Sequence, residues 1–321
     1  MPLSTPGHAN VYMGVSFVDV ETSTPKSMMT DVEIAHYESI KSATSSIVYF
    51  KNSIKEDLVR STQIVSMLRS AIENKVFKLF YQPQINLKTN TVIGCEALIR
   101  WPASSDEWIS PGEFIPIAEK AGLIGDITKW TVEEACRTAA SWNNGQGLKV
   151  RVSVNISAEE LASPHFLEYV SKFIEQSKLD PSVLEVEITE TALMKDAEIA
   201  SQNLRTLRNM GVSIAIDDFG TGQASLAYLK HFPIDRLKID QSFVKGALKN
   251  STDREIIESV TKLAHSLGMD VIAEGAEEKE HIDLLISLGC DEVQGYYIAK
   301  PMPTEQFVEF ANVYSRKRQP A

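Results

Sequence analysis

Short runs in which aliphatic residues alternate with polar ones recur along the chain. Val150–Ser157 reads VRVSVNIS, Leu184–Glu190 LEVEITE, Val212–Gly220 VSIAIDDFG, Asp270–Gly275 DVIAEG and Val92–Leu98 VIGCEAL. Successive side chains of a strand point to opposite faces, so Val186 and Ile188 share one face and Glu185 and Glu187 the other. Ile214 and Ile216 oppose Asp217 in the same way. Each run therefore predicts a strand that brings a carboxylate or an amide to, or near, its C-terminal end.

Between these runs the period changes to that of a helix. Ala158–Gln176 carries Phe166, Val170, Phe173 and Ile174 at helical spacing. Asp196–Met210 is stopped by Gly211, and a short helical piece falls at Leu226–Leu229. Arg236–Asp240 is a further strand. Thr252–Leu267 places Ile256, Ile257, Val260, Leu263, Ala264 and Leu267 on one side and ends at Gly268. Lys279–Leu288 ends at Gly289, before a strand over Glu292–Tyr297. Glycine just past a periodic segment is a helix stop. Strands alternating with helices predict parallel βαβ units. Residues 76–321 are enough of them for a closed (β/α)8 barrel, an α/β fold whose active sites lie at the C-terminal ends of the strands. The competing arrangement, an open doubly wound sheet, lacks its glycine-rich fingerprint here. Residues 1–75 differ: a strand is predicted at Tyr12–Val20 and helices at Asp31–Lys41 and Ser53–Asn74. That is too little for a large independent core, so this part is expected to lean on the barrel or on a partner chain.

Composition narrows the function classes. With 43% hydrophobic and 23% charged residues over 321 positions, a soluble globular protein is expected. A formal charge of -11 without a Lys/Arg stripe argues against long nucleic acid as a partner. A small phosphorylated ligand stays compatible, because bound metal offsets local negative charge. Cys95, Cys136 and Cys290 show no CxxC spacing, which argues against a disulfide framework or structural zinc and favours a reducing, cytoplasmic compartment. No apolar run approaches a membrane span and no signal peptide is visible, although a longer parent chain could be membrane-tethered.

Several acidic strand ends gathered at one barrel rim would form a cluster hard to keep ionised without cations, which points to divalent metal. Asp217 and Asp218 are adjacent carboxylates that can flank two ions, and Gly220 and Gly222 permit a tight loop beside a ligand; an Asx-capped turn is the plainer reading. Glu187 is expected to face the barrel mouth as a ligand, whereas Glu190 braces a neighbouring loop. Asn155, among Val152, Val154 and Ile156, is either a structural hydrogen-bonding amide or a neutral oxygen ligand. Lys238 either forms a salt bridge or holds and helps deprotonate a water. Glu274 ligates a second ion or serves as general base. Gln82 and Arg100 are polar partners near the first strands, and Arg100 beside Trp101 suits a phosphate or nucleobase. None of the six histidines has ligand spacing.

The ordered motifs resemble one family. Glu96-Ala97-Leu98 followed by Arg100-Trp101 is similar to the signature of EAL-domain cyclic-di-GMP phosphodiesterases. Tyr81-Gln82-Pro83, Pro111–Ala118, Val154–Ser157, Glu187–Glu190, Asp217–Gly222, Lys238–Asp240, Ala273–Gly275 and Gln294–Tyr296 follow in the family's order, from about residue 76 to 310. The resemblance implies a modified TIM barrel, two Mg²⁺ or Mn²⁺ ions, and hydrolysis of cyclic-di-GMP to linear pGpG. It implies that Glu96, Asn155, Glu187 and Asp217 hold the first ion. Asp217 then bridges to the second, held also by Asp218 and Glu274. Lys238 contacts the attacking water. Glu190 anchors the loop at 218–222, which couples the site to homodimerisation. Gln82, Leu98, Arg100, Asp218, Gln294 and Pro301 contact substrate. Three positions depart from the pattern: Gln223-Ala224 after the loop, Ala276, and Asn90 at a turn. None removes a ligand; the first bears on dimerisation. Residues 1–52 resemble the closing part of a GGDEF domain without its signature, and residues 53–75 the helix joining it to an EAL domain. A cyclic-di-GMP receptor without turnover, or a dimerising scaffold, is the alternative to an enzyme.

Overall fold

Period-two alternation folds into strands in both parts of the molecule. The computed structural model describes residues 10–17, 24–42, 44–104, 107–220 and 230–316. The chain divides into two units, Met1–Ser70 and Ala71–Ala321. In the first, β1 (Tyr12–Val15) and β2 (Ser46–Tyr49) pair in parallel, Tyr12 opposite Ser46. The helix Pro25–Ile40 crosses between them. It starts six residues before the apolar period shows, because Thr24 and Ser27 form a capping box and Pro25 occupies the first turn. A Cβ at Gly14 would meet the His36 nitrogen at 2.2 Å, so glycine is what lets helix and strand approach. The expected strand to Val20 stops at Val15, and residues 18–23 lie outside the described ones. Helix Asn52–Glu73 follows.

In the second unit eight strands close into a barrel: β3 (Lys78–Asn86), β4 (Val92–Pro102), β6 (Arg151–Asn155), β7 (Leu184–Thr189), β8 (Ser213–Phe219), β9 (Arg236–Ile239), β10 (Asp270–Glu274) and β11 (Glu292–Gln294). The order is β3-β11-β10-β9-β8-β7-β6-β4, closed by β3–β4 pairing, with the two-residue strand β5 (Trp108–Ile109) beside β4. One expectation is corrected here. β3 runs antiparallel to both neighbours, so not every strand belongs to a parallel βαβ unit. The reason is local. Only five residues separate β3 from β4, enough for a hairpin and too few for a crossover helix. Asn90 adopts φ 55° in that turn, and the Asn86 side-chain oxygen accepts from the Lys88 and Thr89 amides.

The helix expected over Ala158–Gln176 is two helices, Ala158–Leu161 and Phe166–Ser177. Pro164 lies between them; it has no N–H to donate and turns its predecessor away from helical geometry. Two further helices, Pro111–Lys120 and Ile124–Ser141, fill the return from β4 to β6. The short helix expected at Leu226–Leu229 lies outside the described residues. Among those described, no helix is long and apolar enough to cross a membrane.

The core sits between strands and helices. Val152, Val186, Ile214, Leu237 and Val271 are fully buried and share one cluster with helix residues such as Leu204, Leu207 and Ile257. A TIM barrel is normally also filled inside by branched apolar side chains. Here the alternate positions place Gln84, Glu96, Ser153, Glu185, Glu187, Arg236, Lys238, Glu292 and Gln294 in buried positions instead.

Candidate active site

These interior polar residues form two levels. The upper one lies at the C-terminal ends of the parallel strands, where register sets Asn155 opposite Glu187, Glu274 opposite Gln294, and Gln82 opposite Glu96. Lys238 stands at its centre, 2.6 Å from Glu187 Oε2, 2.7 Å from Glu274 Oε1, 3.0 Å from Asp217 Oδ1 and 3.8 Å from Glu96 Oε2. Asn155 Nδ2 donates to Glu96 Oε1 at 2.7 Å. Gln294 Nε2 donates to Glu96 Oε2 at 2.6 Å and to Gln82 Oε1 at 3.1 Å. The structure thus gathers Gln82, Glu96, Asn155, Glu187, Asp217, Lys238, Glu274 and Gln294. It buries the polar ends of Gln82 and Gln294 in this network, Gln82 donating also to the Ala299 carbonyl.

The lower level balances its own charge. Arg236 pairs with Glu185 and, through Nη2 at 3.1 Å, with Glu292. Arg151 Nη2 donates to Glu292 Oε2 at 3.0 Å, and its Nε lies 3.1 Å from Glu185. Ser153 donates to Glu185 at 2.7 Å. Two cations face two anions. The sequence reading did not single out Arg151, Ser153, Arg236 or Glu292, although period two carries them onto the face of Asn155, Lys238 and Gln294.

The two levels differ electrostatically. Burial would raise the Glu185 carboxyl, but Arg151 and Arg236 outweigh it and hold it below the usual range. Two residues on, burial raises Glu187 well above that range, and Glu96 and Asp217 add to the rise while Lys238 opposes it. Burial likewise pushes Glu274 up to about 8 against Lys238. Burial pulls the Lys238 ammonium down, yet the four carboxylates, led by Asp217, hold it well above its ordinary value. Such under-compensated groups in a cleft mark functional sites.

This has a stability consequence. The folded Glu274 carboxyl keeps a proton that the unfolded chain releases above its ordinary carboxylate value of 4.5. Stability from this group is then lost as pH rises from that value to about 8. Chelator-treated protein should melt at a lower temperature at pH 8 than at pH 6, and Mn²⁺ should reverse the loss. A pH-independent melting temperature under chelation would contradict this assignment.

At the rim, β7 ends at Thr189, and Glu190 opens the helix Glu190–Lys195, capped by the Thr189 side chain. It is therefore not on a continuing strand. Its Oε2 accepts from the Gly220 amide at 3.2 Å. Gly220 itself needs glycine: φ is 100° and a Cβ would meet the Phe243 ring at 2.9 Å. Asp218 is exposed, adopts φ 55° and donates its amide to Asp217 Oδ1. Burial and then the Asp217 charge raise its carboxyl. Residues 221–229 lie outside the described ones, and with them Gly222 and Gln223-Ala224. Leu98 lines two hollows. One, of about 800 Å³, is lined by Leu98, Arg100, Ile115, Ile127 and Asn155 among others. The other, of about 220 Å³, is lined by Gln82, Glu96, Leu98, Glu274, Gln294 and Tyr296 among others. Arg100 lies over the Phe80 ring at 5.7 Å. Pro301 lines neither hollow; it sits between Ala299, which accepts from Gln82, and Met302, bridged to Tyr81.

Ligand oxygens of Glu96, Glu187 and Asp217 lie within 4.8 Å of one another. Oxygens about 2.1 Å from a Mg²⁺ ion span about 4.2 Å across it, so small side-chain rotations would let this set close on one cation. Glu187 Oε1 is buried without a hydrogen-bond partner, which leaves it available to a cation. The donor set is all oxygen, as hard divalent ions require.

A closed barrel with this mouth defines a class, and comparison with known proteins agrees. Residues 65–301 match the EAL domain, and the chain belongs to that family. The match begins at residue 65 and lends no support to a GGDEF-like origin for residues 1–52. Among relatives, the chain is 38% identical over 303 residues to the signaling protein YkoW of Bacillus subtilis, covering 94% of this chain and 38% of that one. It is 34% identical over 296 residues to the bifunctional diguanylate cyclase/cyclic di-GMP phosphodiesterase MucR of Pseudomonas aeruginosa, covering 92% and 43%. The chain thus spans about two-fifths of these relatives' length. The solved MucR phosphodiesterase–c-di-GMP complex matches with a TM-score of 0.73 and 39% identity, over 76% of this chain and 99% of that one. The FimX EAL domain of P. aeruginosa bound to c-di-GMP matches at 0.69 and 26%, over 74% and 96%.

Proposed function

We propose that the barrel hydrolyses cyclic-di-GMP to linear 5'-pGpG with two divalent cations, Mg²⁺ or Mn²⁺. The observation that carries this reading is the contrast between the levels: the lower is charge-paired, whereas in the upper, among the described residues, Glu96, Glu187, Asp217 and Glu274 share the one ion-pairing cation Lys238. Two divalent ions would offset the charge of these carboxylates and of Asp218, so that the mouth could take an anionic phosphodiester. Family membership and the c-di-GMP-bound neighbours support the substrate.

Glu96, Asn155, Glu187 and Asp217 would hold the first ion, and Asp217, Asp218 and Glu274 the second. Such ions, when bound, acidify a water and clamp the attacking and leaving oxygens of an in-line displacement. Water oxygen bonds to phosphorus, the bond to the 3' oxygen breaks, and that oxygen leaves with a proton. Lys238, within 3.0 Å of Glu187, Asp217 and Glu274, would donate hydrogen bonds and orient the attacking water. Glu274, 2.7 Å from Lys238 Nζ, is placed to ligate or to take a proton. Arg100 and Leu98 at the rim, with Gln82, Gln294 and Pro301, would fix the dinucleotide. The free, buried cysteines suit a reducing cytoplasm. A homodimer through the 218–222 region is part of the same reading, as is a lead-in helix over 53–75.

The test is incubation of the protein with cyclic-di-GMP and Mn²⁺ or Mg²⁺, with chromatographic detection of pGpG. Absence of product at saturating metal would sink the enzyme reading; dinucleotide binding without product would replace it with a receptor. A second expectation concerns Glu190→Ala. Losing the Gly220 contact should reduce turnover by about 10–100-fold, the usual cost of an outer hydrogen-bond partner, while cyclic-di-GMP binding measured by calorimetry persists. Unchanged turnover would remove Glu190 from the machinery.

A further inference from the structure

Gln84 and the half-buried Arg151 lie beneath the proposed site and touch no candidate metal ligand directly. Gln84 is fully buried. Arg151 Nη2 donates to Gln84 Oε1 at 3.0 Å. Gln84 Nε2 donates to Gln294 Oε1 at 3.0 Å, and Gln294 Nε2 donates to Glu96 Oε2 at 2.6 Å. The chain of bonds runs from the charge-paired level up to a carboxylate of the cluster.

Its direction is set at the bottom. A guanidinium has donors only, so Gln84 must present its carbonyl oxygen to Arg151. The Gln84 amide nitrogen then faces Gln294 and can only meet that residue's carbonyl. Gln294 is thereby turned so that its nitrogen meets Glu96, which accepts only. Arg151 is itself held by Glu292 and Glu185, so the starting point does not rotate. Glu96 takes its other amide hydrogen bond from Asn155 Nδ2 at 2.7 Å, which leaves Asn155 Oδ1 as the atom available to a cation. A separate feature protects the relay. Gly94 lies opposite Gln84 on β4, and a Cβ there would meet Gln84 Oε1 at 2.7 Å.

We propose that Arg151 and Gln84 are positioning residues, which fix through Gln294 the orientation in which Glu96 and Asn155 meet a divalent cation. The inference rests on the metal-dependent reading above. With the relay cut, Gln294 Oε1 loses its donor and only the bonds of its nitrogen to Glu96 and Gln82 still orient it, so the carboxylate is held less firmly.

The experiment is calorimetric titration of the full chain with Mn²⁺, alongside thermal melting in chelator. Gln84→Met keeps the side-chain length and removes both amide contacts. It should weaken Mn²⁺ binding by about tenfold, as loss of a partner behind a metal ligand typically does. Gly94→Ala should weaken it in the same direction. Arg151→Lys retains a donor for Gln84 and should bind Mn²⁺ nearly as the parent does, whereas Arg151→Met should not. A merely structural role would lower melting temperatures without shifting Mn²⁺ affinity well below the melt. Parent-like affinity in Gln84→Met overturns the relay, as does equal affinity in Arg151→Lys and Arg151→Met, a comparison that stands even if Gln84→Met does not fold. A parent protein that binds no Mn²⁺ overturns the metal-dependent reading itself; one that binds and hydrolyses while the variants match it overturns the relay alone.

Discussion

Glu96→Ala should reduce pGpG formation to background, well beyond the about 10–100-fold cost of losing an outer partner, because it removes a carboxylate from the set that closes on a cation. Stability should move the other way. In chelator the variant carries one fewer like charge among Glu187, Asp217 and Glu274, and Lys238 keeps its three nearer partners. Its melting temperature without metal should equal or exceed the parent's, and Mn²⁺ should raise it less. A residue serving only the fold would show a fall in both. Parent-like initial rates at saturating Mn²⁺ would strike Glu96 from the ligand set.

Arg236→Met should be the most damaging single change to the fold. Arg236 is buried and pairs with both Glu185 and Glu292, leaving Arg151 as the remaining arginine for two buried carboxylates. Breaking a buried pair on one side costs about 3–5 kcal/mol, since the orphaned charge stays desolvated. Whole domains are stable by about 5–15 kcal/mol. The urea midpoint should fall accordingly with an unchanged slope, and adding Glu185→Gln should recover part of it. A midpoint within error of the parent's would show that the lower level contributes no net stability.

The strands and their polar ends were legible because period two is local. Val150–Ser157 or Leu184–Glu190 states both the strand and its inner face. Helix breaks were less so: the apolar period through Phe166 and Val170 overrode the signal of Pro164 between the two segments. The antiparallel course of β3 was readable in principle from the five residues before β4, yet a barrel expectation built on crossovers has no place for a hairpin. Glu190 reads in sequence as a strand residue that braces a loop; it opens a helix, and its carboxylate accepts from the Gly220 amide. Arg151, Arg236 and Glu292 were missed for a different reason. An interior ion network depends on which strands become neighbours, and Arg151 and Glu292 are 141 residues apart. The candidate ligand set rests chiefly on the ordered motifs, which name residues that strand periodicity cannot bring together.

Reversal of β3 also decides where the chain joins the barrel. Lys78 pairs with Arg100, near the mouth end of β4, and the strand descends from there to Asn86. With eight parallel strands the chain would start at the far floor. Here the chain enters the barrel at the end that carries Arg100, the same end at which the parallel strands gather their acidic groups.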